Sequence, residues 1–341
     1  MKRILLLLTG FFLTVGCLCG PVDAGAAPAV SAGRGVVMDA DTGELLWSRH
    51  PDTPGLIAST TKIMTAYLAC EAGELERRVS IPPEAVGVEG SSLYLREGEL
   101  LSREELLLGT MLQSGNDAAL ALAIDTAGSE AAFVARMNET ARSLGLQNTH
   151  YANPHGLDME GNYGSARDLA LLTAQALQNP DFRRVSATRA AVVTGNRALS
   201  NHNKLLWRCP GCIGVKTGYT RAAGRLLVSA AEREGRRLIC VTINDPNDWE
   251  DHIALLDWGF EQFERRQVAV DGRLLMRAPG GAGLLARANL TLLLRPGEEP
   301  RLVFLPGLIS DLIPGADAGS VRVCLGGSVV GEIPVCWENS K

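Results

Sequence analysis

The sequence predicts an α+β fold: an antiparallel sheet with strands from both ends of one segment, a helical block inserted between them, and a small all-β region behind it. Three features point this way. Apolar strand-like runs flank a helical stretch instead of alternating with it. Helical periodicity is concentrated between about residues 59 and 180. Past about residue 266, short apolar runs are separated by Gly- and Pro-rich turns. With 341 residues, 46% of them hydrophobic and 21% charged, the chain has apolar material for two domains and lacks the composition of a disordered protein. Its formal charge is −5, and basic clusters such as Arg236-Arg237 and Arg265-Arg266 are only pairs, so no electrostatic footprint for nucleic acid is present.

Met1-Lys2-Arg3, an apolar run from Ile4 to about Leu18, and the small residues around Val22-Asp23-Ala24 read as a cleaved signal peptide over 1–26. The run is short of the roughly 20 residues that span a bilayer. Lipidation at Cys17 is disfavoured, because Thr14 and Val15 match poorly the residues such a site needs. Residues 35–48 form two apolar runs around Asp41-Thr42-Gly43, which predicts a β-hairpin. From Ser59, the apolar positions Ile63, Met64, Tyr67 and Leu68 follow helical spacing. Further helices are expected at 104–113, 117–126, 130–144 and 166–177. Strands return at 214–220, 225–231 and 237–243, and Trp249 to Phe263 reads as a closing helix. Short strands then follow at 267–270, 290–294, 301–304, 321–325 and 329–335.

Six cysteines lie beyond the leader, a count that permits disulfides in an exported chain without selecting a pairing. Cys209-Pro210-Gly211-Cys212 lacks the strand-then-helix setting of a redox site and reads as a local disulfide or loop staple just ahead of Lys216. No second Cys or His pair at zinc spacing accompanies it, so no metal is expected, and no cofactor.

Three short motifs carry the chemistry. In Ser59-Thr60-Thr61-Lys62, the predicted helix start puts Ser59 where free N–H groups favour developing negative charge, and Lys62, one turn on, within reach of its hydroxyl. Alone, Ser59 would read as an N-cap and Lys62 as a surface charge. To act as a base, Lys62 must be neutral, which requires desolvation and a neighbouring cation; Lys216 is the candidate. Ser114-Gly115-Asn116 lies between two apolar helices, where a tight turn would aim a hydroxyl and an amide into a cleft. The bland alternative is a cap for the helix beginning at Asp117. In Lys216-Thr217-Gly218, strand geometry puts Lys216 and Gly218 on one face and Thr217 on the other. Gly218 leaves room for a peptide alongside the strand.

These motifs, with Asn153-Pro154-His155-Gly156-Leu157, Asn203-Lys204-Leu205-Leu206-Trp207 and Gly214 to Thr220, resemble the serine-type D-alanyl-D-alanine carboxypeptidases, the low-molecular-mass penicillin-binding proteins of peptidase family S11. The Asn-Lys-Leu-Leu-Trp and Asn-Asp-Pro-Asn-Asp-Trp runs are most similar to the sporulation-associated Gram-positive branch. The resemblance implies a β-lactamase/transpeptidase-like catalytic domain over 27–265 and a β-rich C-terminal domain over 266–341. It also implies removal of the terminal D-Ala from peptidoglycan stem peptides, and acylation by β-lactams. Ser59, Lys62 and Ser114 would be catalytic. Asn116, Lys216, Thr217, Gly218 and Tyr219 would bind substrate, with the Ser59 and Tyr219 N–H groups forming an oxyanion hole.

Some relatives carry an arginine where this chain has Asn244 to Trp249, so carboxylate binding is expected to rest on Lys216, Thr217 and His202. His155 is read as structural. An export route ending at the cell wall or the outer face of the cytoplasmic membrane follows, with a monomer as the default. No C-terminal amphipathic helix is apparent, so any peripheral membrane attachment falls to the leader. Two alternatives are weighed: a β-lactamase, for which the expected Glu-x-x-Leu-Asn loop is absent, and an inactive wall-binding or penicillin-sensing module, for which no catalytic residue is missing.

Overall fold

The computed structural model describes residues 25–307 and 313–338; the leader reading lies outside them. Two compact units are present, one of residues 27–265 and the other from Arg266 onward.

In the larger unit, β1 (Arg34–Asp39) and β2 (Leu45–Arg49) form the expected hairpin around Asp41-Thr42-Gly43. A 3-10 turn, Ala58–Thr61, leads into α1 (Lys62–Glu71). A small pair, β3 (Arg78–Ser80) and β4 (Leu100–Ser102), precedes the helices α2 (Arg103–Leu112), α3 (Asn116–Ala127), α4 (Glu130–Ser143), α5 (Ala166–Ala176) and α6 (Pro180–Ala187). The hairpin β5 (Ala190–Val193) and β6 (Arg197–Ser200) and the short α7 (Leu205–Arg208) return the chain to β7 (Cys212–Thr220), β8 (Gly224–Arg233) and β9 (Arg236–Ile243). α8 (Asp248–Gln262) closes the unit. The sheet is antiparallel, in the order β2-β1-β9-β8-β7, so strands from both ends of the segment meet and β7 is an edge.

Period-two alternation gives the sheet two apolar faces. Val36, Met38, Val228, Ile239 and Val241 join the core of the helical block, while Val37, Leu227 and Leu238 pack with Leu255 and Leu256 of α8. Helix α1 is apolar nearly all round and runs through the centre of the block, where a helix of that pattern belongs. Ser102 and Glu105 close a reciprocal cap at the start of α2. Arg103 then ties α2 to α3 by bonds of 2.9 and 2.7 Å to Asp125, both side chains buried. That clamp fixes the two helices flanking the Ser114 turn.

The second unit holds a five-stranded antiparallel sheet, β11 (Leu274–Arg277), β12 (Gly283–Ala286), β16 (Ser328–Trp337), β15 (Asp317–Leu325) and β14 (Arg301–Pro306), in that order. Strand β10 (Glu264–Ala269) leads into this unit and pairs with β13 (Leu290–Leu294). Val321, Val335 and Leu284 pack with Trp337, whose ring meets Phe304 edge-on.

The sequence reading missed α6, α7, the small strand pairs β3–β4 and β5–β6, and strands β11 and β12. These are short elements, and the two strands of the second unit are set among Gly- and Pro-rich turns that mask their alternation. The staple expectation is corrected: Cys209 and Cys212 are both free thiols, as are Cys70, Cys240, Cys324 and Cys336.

Candidate active site

Ser59 does not open an α-helix as its spacing suggested. It sits in the tighter 3-10 turn, and α1 starts at Lys62. Neither helix start carries a side-chain cap, so the N-cap alternative for Ser59 fails. Ala58 has φ = 44°, a left-handed conformation costly for a residue with a Cβ. The turn leaves Ser59 half-buried on a cleft of about 300 Å³.

Behind it, Lys62 is fully buried; its Nζ donates to Asn116 Oδ1 at 2.7 Å and to the His155 carbonyl at 2.5 Å, and lies 3.2 Å from Ser59 Oγ. Burial holds the amine well below its ordinary pKa, Lys216 pushes in the same direction, and Asp117 opposes them. Lys216 is itself buried, and desolvation lowers its pKa to about 7.

Ser114 lies in the expected turn, with φ = 61°, and lines the cleft. The cap of α3 is Gly115, without a side-chain bond, which removes the capping alternative. Asn116 bridges two walls: its Oδ1 accepts from Lys62, and its Nδ2 donates to Glu89 O at 2.5 Å. Asp117 is buried and accepts from Ser92 Oγ at 2.7 Å and from the N–H groups of Leu93 and Leu95. It thereby pins the loop whose Ser91 lines the cleft.

On β7, Thr217, Gly218 and Tyr219 line the cleft, with Tyr219 exposed. Lys216 lies beneath the lining, its Nζ 3.0 Å from Thr217 O. Gly218 also packs closely on its inner side. A Cβ there would sit 3.3 Å from Thr60 N and 3.4 Å from Ala58 Cβ, so its small size serves to seat the edge strand against the Ser59 turn.

His155 is structural in its ring, which accepts from Leu157 N at 3.3 Å and whose pKa burial lowers to about 4. Its carbonyl, however, is a ligand of Lys62. The turn is tied by Asn153, which accepts from Gly156 N at 2.6 Å and donates to Leu157 O at 3.0 Å. At Gly156, φ is 88°, and a Cβ would lie 1.9 Å from Ala58 O. His202 lines the cleft as expected, its pKa lowered by burial and by Lys216.

Residues to which the sequence reading gave no role complete the wall: Ser91, Leu226, Arg225, Asp248 and Trp249. The 244–249 stretch contributes an acid and an indole where an arginine was looked for. Arg225 carried no signal beyond its place at a strand start, and Asp248 none beyond a helix start.

The model of the family described as D-alanyl-D-alanine carboxypeptidase, peptidase S11, matches residues 22–247. The chain belongs to this family. Its similarity to S11 relatives includes the D-alanyl-D-alanine carboxypeptidase DacF of Bacillus subtilis, 30% identical over 330 residues, 90% of this chain and 85% of that protein. DacB2 of Mycobacterium tuberculosis is 35% identical over 251 residues, 70% of this chain and 86% of that one. Among solved structures, penicillin-binding protein 5 of Haemophilus influenzae superposes with a TM-score of 0.79 at 28% identity, covering 92% of this chain and 98% of that one. The α+β fold read from the sequence agrees with that of these S11 structures.

Proposed function

We propose that this chain is a serine-type carboxypeptidase that removes the terminal D-Ala from peptidoglycan stem peptides through an acyl-enzyme on Ser59. The observation that carries the reading is the buried Lys62 amine, 3.2 Å from a half-buried serine hydroxyl and depressed in pKa by burial and by Lys216. A neutral amine in that position takes the Ser59 proton as Oγ attacks the D-Ala-D-Ala carbonyl.

The remaining roles follow from position. The edge strand β7 offers its free side to an extended peptide, which adds as a further strand. N–H groups of Ser59 and Tyr219 receive the developing oxyanion. Ser114, on the opposite wall, passes a proton to the departing amine, after which water resolves the ester. Asn116 holds Lys62 and the substrate amide, Lys216 with Thr217 and His202 attracts the terminal carboxylate, and Gly218 leaves room for the peptide along β7. β-Lactams acylate Ser59 because the lactam resembles the same dipeptide. A peptidoglycan substrate goes with action outside the cytoplasm, at the cell wall or the outer face of the cytoplasmic membrane. Among the described residues no single helix is long and apolar enough to cross a membrane.

The test is mass spectrometry of the protein after incubation with benzylpenicillin, with D-Ala release from a D-Ala-D-Ala peptide followed in parallel. A long-lived adduct on Ser59 together with D-Ala release is expected. An adduct that clears within seconds would indicate a β-lactamase instead. Absence of both would leave a binding module.

A further inference from the structure

We propose that Arg225 is a specificity-determining residue of this cleft, its guanidinium binding the C-terminal carboxylate of the substrate beside Thr217. The inference rests on the carboxypeptidase reading above. In the β7–β8 register, Tyr219 lies opposite Arg225, and Thr217 opposite Leu227. Residues two apart on a strand share a face, so Thr217 and Arg225 are diagonal neighbours on one side of the sheet. Such pairs are about 7–8 Å apart, within reach of a long side chain. Both residues line the cleft that holds Ser59.

The guanidinium is held from behind. Asp248, its side chain only 4% exposed, accepts from Nε at 3.2 Å and from Nη2 at 2.7 and 2.9 Å, and the Trp249 ring lies 5.6 Å from the guanidinium carbon. The Arg225 side chain is 43% exposed, so the cation faces the cleft while its counter-ion is shielded. An arginine has five N–H donors in a rigid fork. Asp248 occupies the Nε edge, and among the described residues Nη1 makes no hydrogen bond. Nη1 therefore keeps both of its N–H donors for the carboxylate of a substrate. Lys216, the other cation near Thr217, is buried and half-neutral near pH 7, which leaves a guanidinium as the durable positive charge at that end of the cleft.

The test compares a D-Ala-D-Ala peptide bearing a free C-terminus with the same peptide as its C-terminal amide, on the wild type, Arg225→Ala and Arg225→Lys. In Arg225→Ala, kcat/KM on the free acid falls about tenfold to a hundredfold, mostly through KM, and the amide is affected far less, so the acid-over-amide preference collapses. Arg225→Lys retains part of that preference. If Arg225→Ala does not fold, Arg225→Gln is used, with the same collapse expected. An equal fall on both peptides would show that Arg225 only supports the structure and would overturn the inference, as would an unchanged preference. A wild type that releases D-Ala yet does not distinguish acid from amide would overturn it alone. A wild type inactive on both peptides would remove the carboxypeptidase reading as well.

Discussion

Ser229, His252 and Thr242 are joined by contacts of 2.6 and 2.8 Å on the face of the sheet covered by α8, and all three are fully buried. Ser59, Lys62 and Asn116 are joined in much the same way at the helical block, by contacts of 3.2 and 2.7 Å. Judged by residue type, the serine–histidine group looks the more reactive. Yet neither Ser229 nor His252 borders the cleft, and desolvation lowers the pKa of the imidazole to about 3, leaving it neutral and satisfied on both nitrogens. The Ser59 group differs in one respect: its hydroxyl reaches a cleft while its amine stays buried. A strained turn, a carbonyl from a remote loop and a second lysine all serve that difference. Reactivity here is a property of the wall around a pair, not of the pair itself.

The sharpest contrast is between the two serines. Ser59→Ala should lower D-Ala release by about four to six orders of magnitude and abolish penicillin labelling. Ser229→Ala should keep labelling within about twofold and cost about 1–3 kcal/mol in urea unfolding, since it leaves a buried imidazole nitrogen unpaired. Full labelling of Ser59→Ala, or loss of labelling in a folded Ser229→Ala, would break the comparison.

Next in size is Lys62→Met, expected to reduce acylation by about a hundredfold to ten-thousandfold. The same change should raise stability by about 1–3 kcal/mol, because a buried, desolvated amine is replaced by an apolar chain of similar length. A variant that loses activity and stability together would mean that the three oxygens around Nζ outweigh its desolvation.

The pH dependence follows from the two lysines. Lys62 acts when neutral, so kcat/KM rises as its proton leaves; Lys216 attracts the carboxylate when charged, so kcat/KM falls as pH climbs through about 7. A bell is expected, its limbs belonging to the coupled pair. Lys216→Arg, which stays charged, should move the falling limb to higher pH whatever it does to the maximum. An unmoved limb would assign it elsewhere.

The smallest effect belongs to the closed cluster. The unfolded imidazole of His252 takes a proton below about 6.5 and the folded one only near 3, so the unfolded state binds more protons in that window. Stability from this group is therefore present above 6.5 and lost as pH falls towards 3, by at most about 1.4 kcal/mol per pH unit. Urea titrations at several pH values should show a shallower acid slope in His252→Gln.

The comparison also marks what the sequence could yield. Strands β7, β8 and β9 and helix α8 were legible because each buries residues at a regular period, and the three motifs because they are local. The Lys62–His155 contact was not, since its acceptor is a backbone carbonyl 93 residues away. Asp117 reads only as the start of a helix, because its partners lie on a loop more than twenty residues earlier. Arg225 and Asp248 read as the ordinary starts of a strand and a helix, and only the register brings them beside Thr217. The 3-10 turn at Ser59 escaped because Ile63, Met64, Tyr67 and Leu68 fit α-helical spacing while the turn before them is set by Ala58 and its neighbours.

Gly156 carries a practical consequence for anyone diversifying this cleft. With its φ positive and a carbonyl where a side chain would go, every codon at that position except those for glycine is a lost clone. Saturation libraries are better spent on the rim at Tyr219 and Trp249, where new side chains have solvent to grow into.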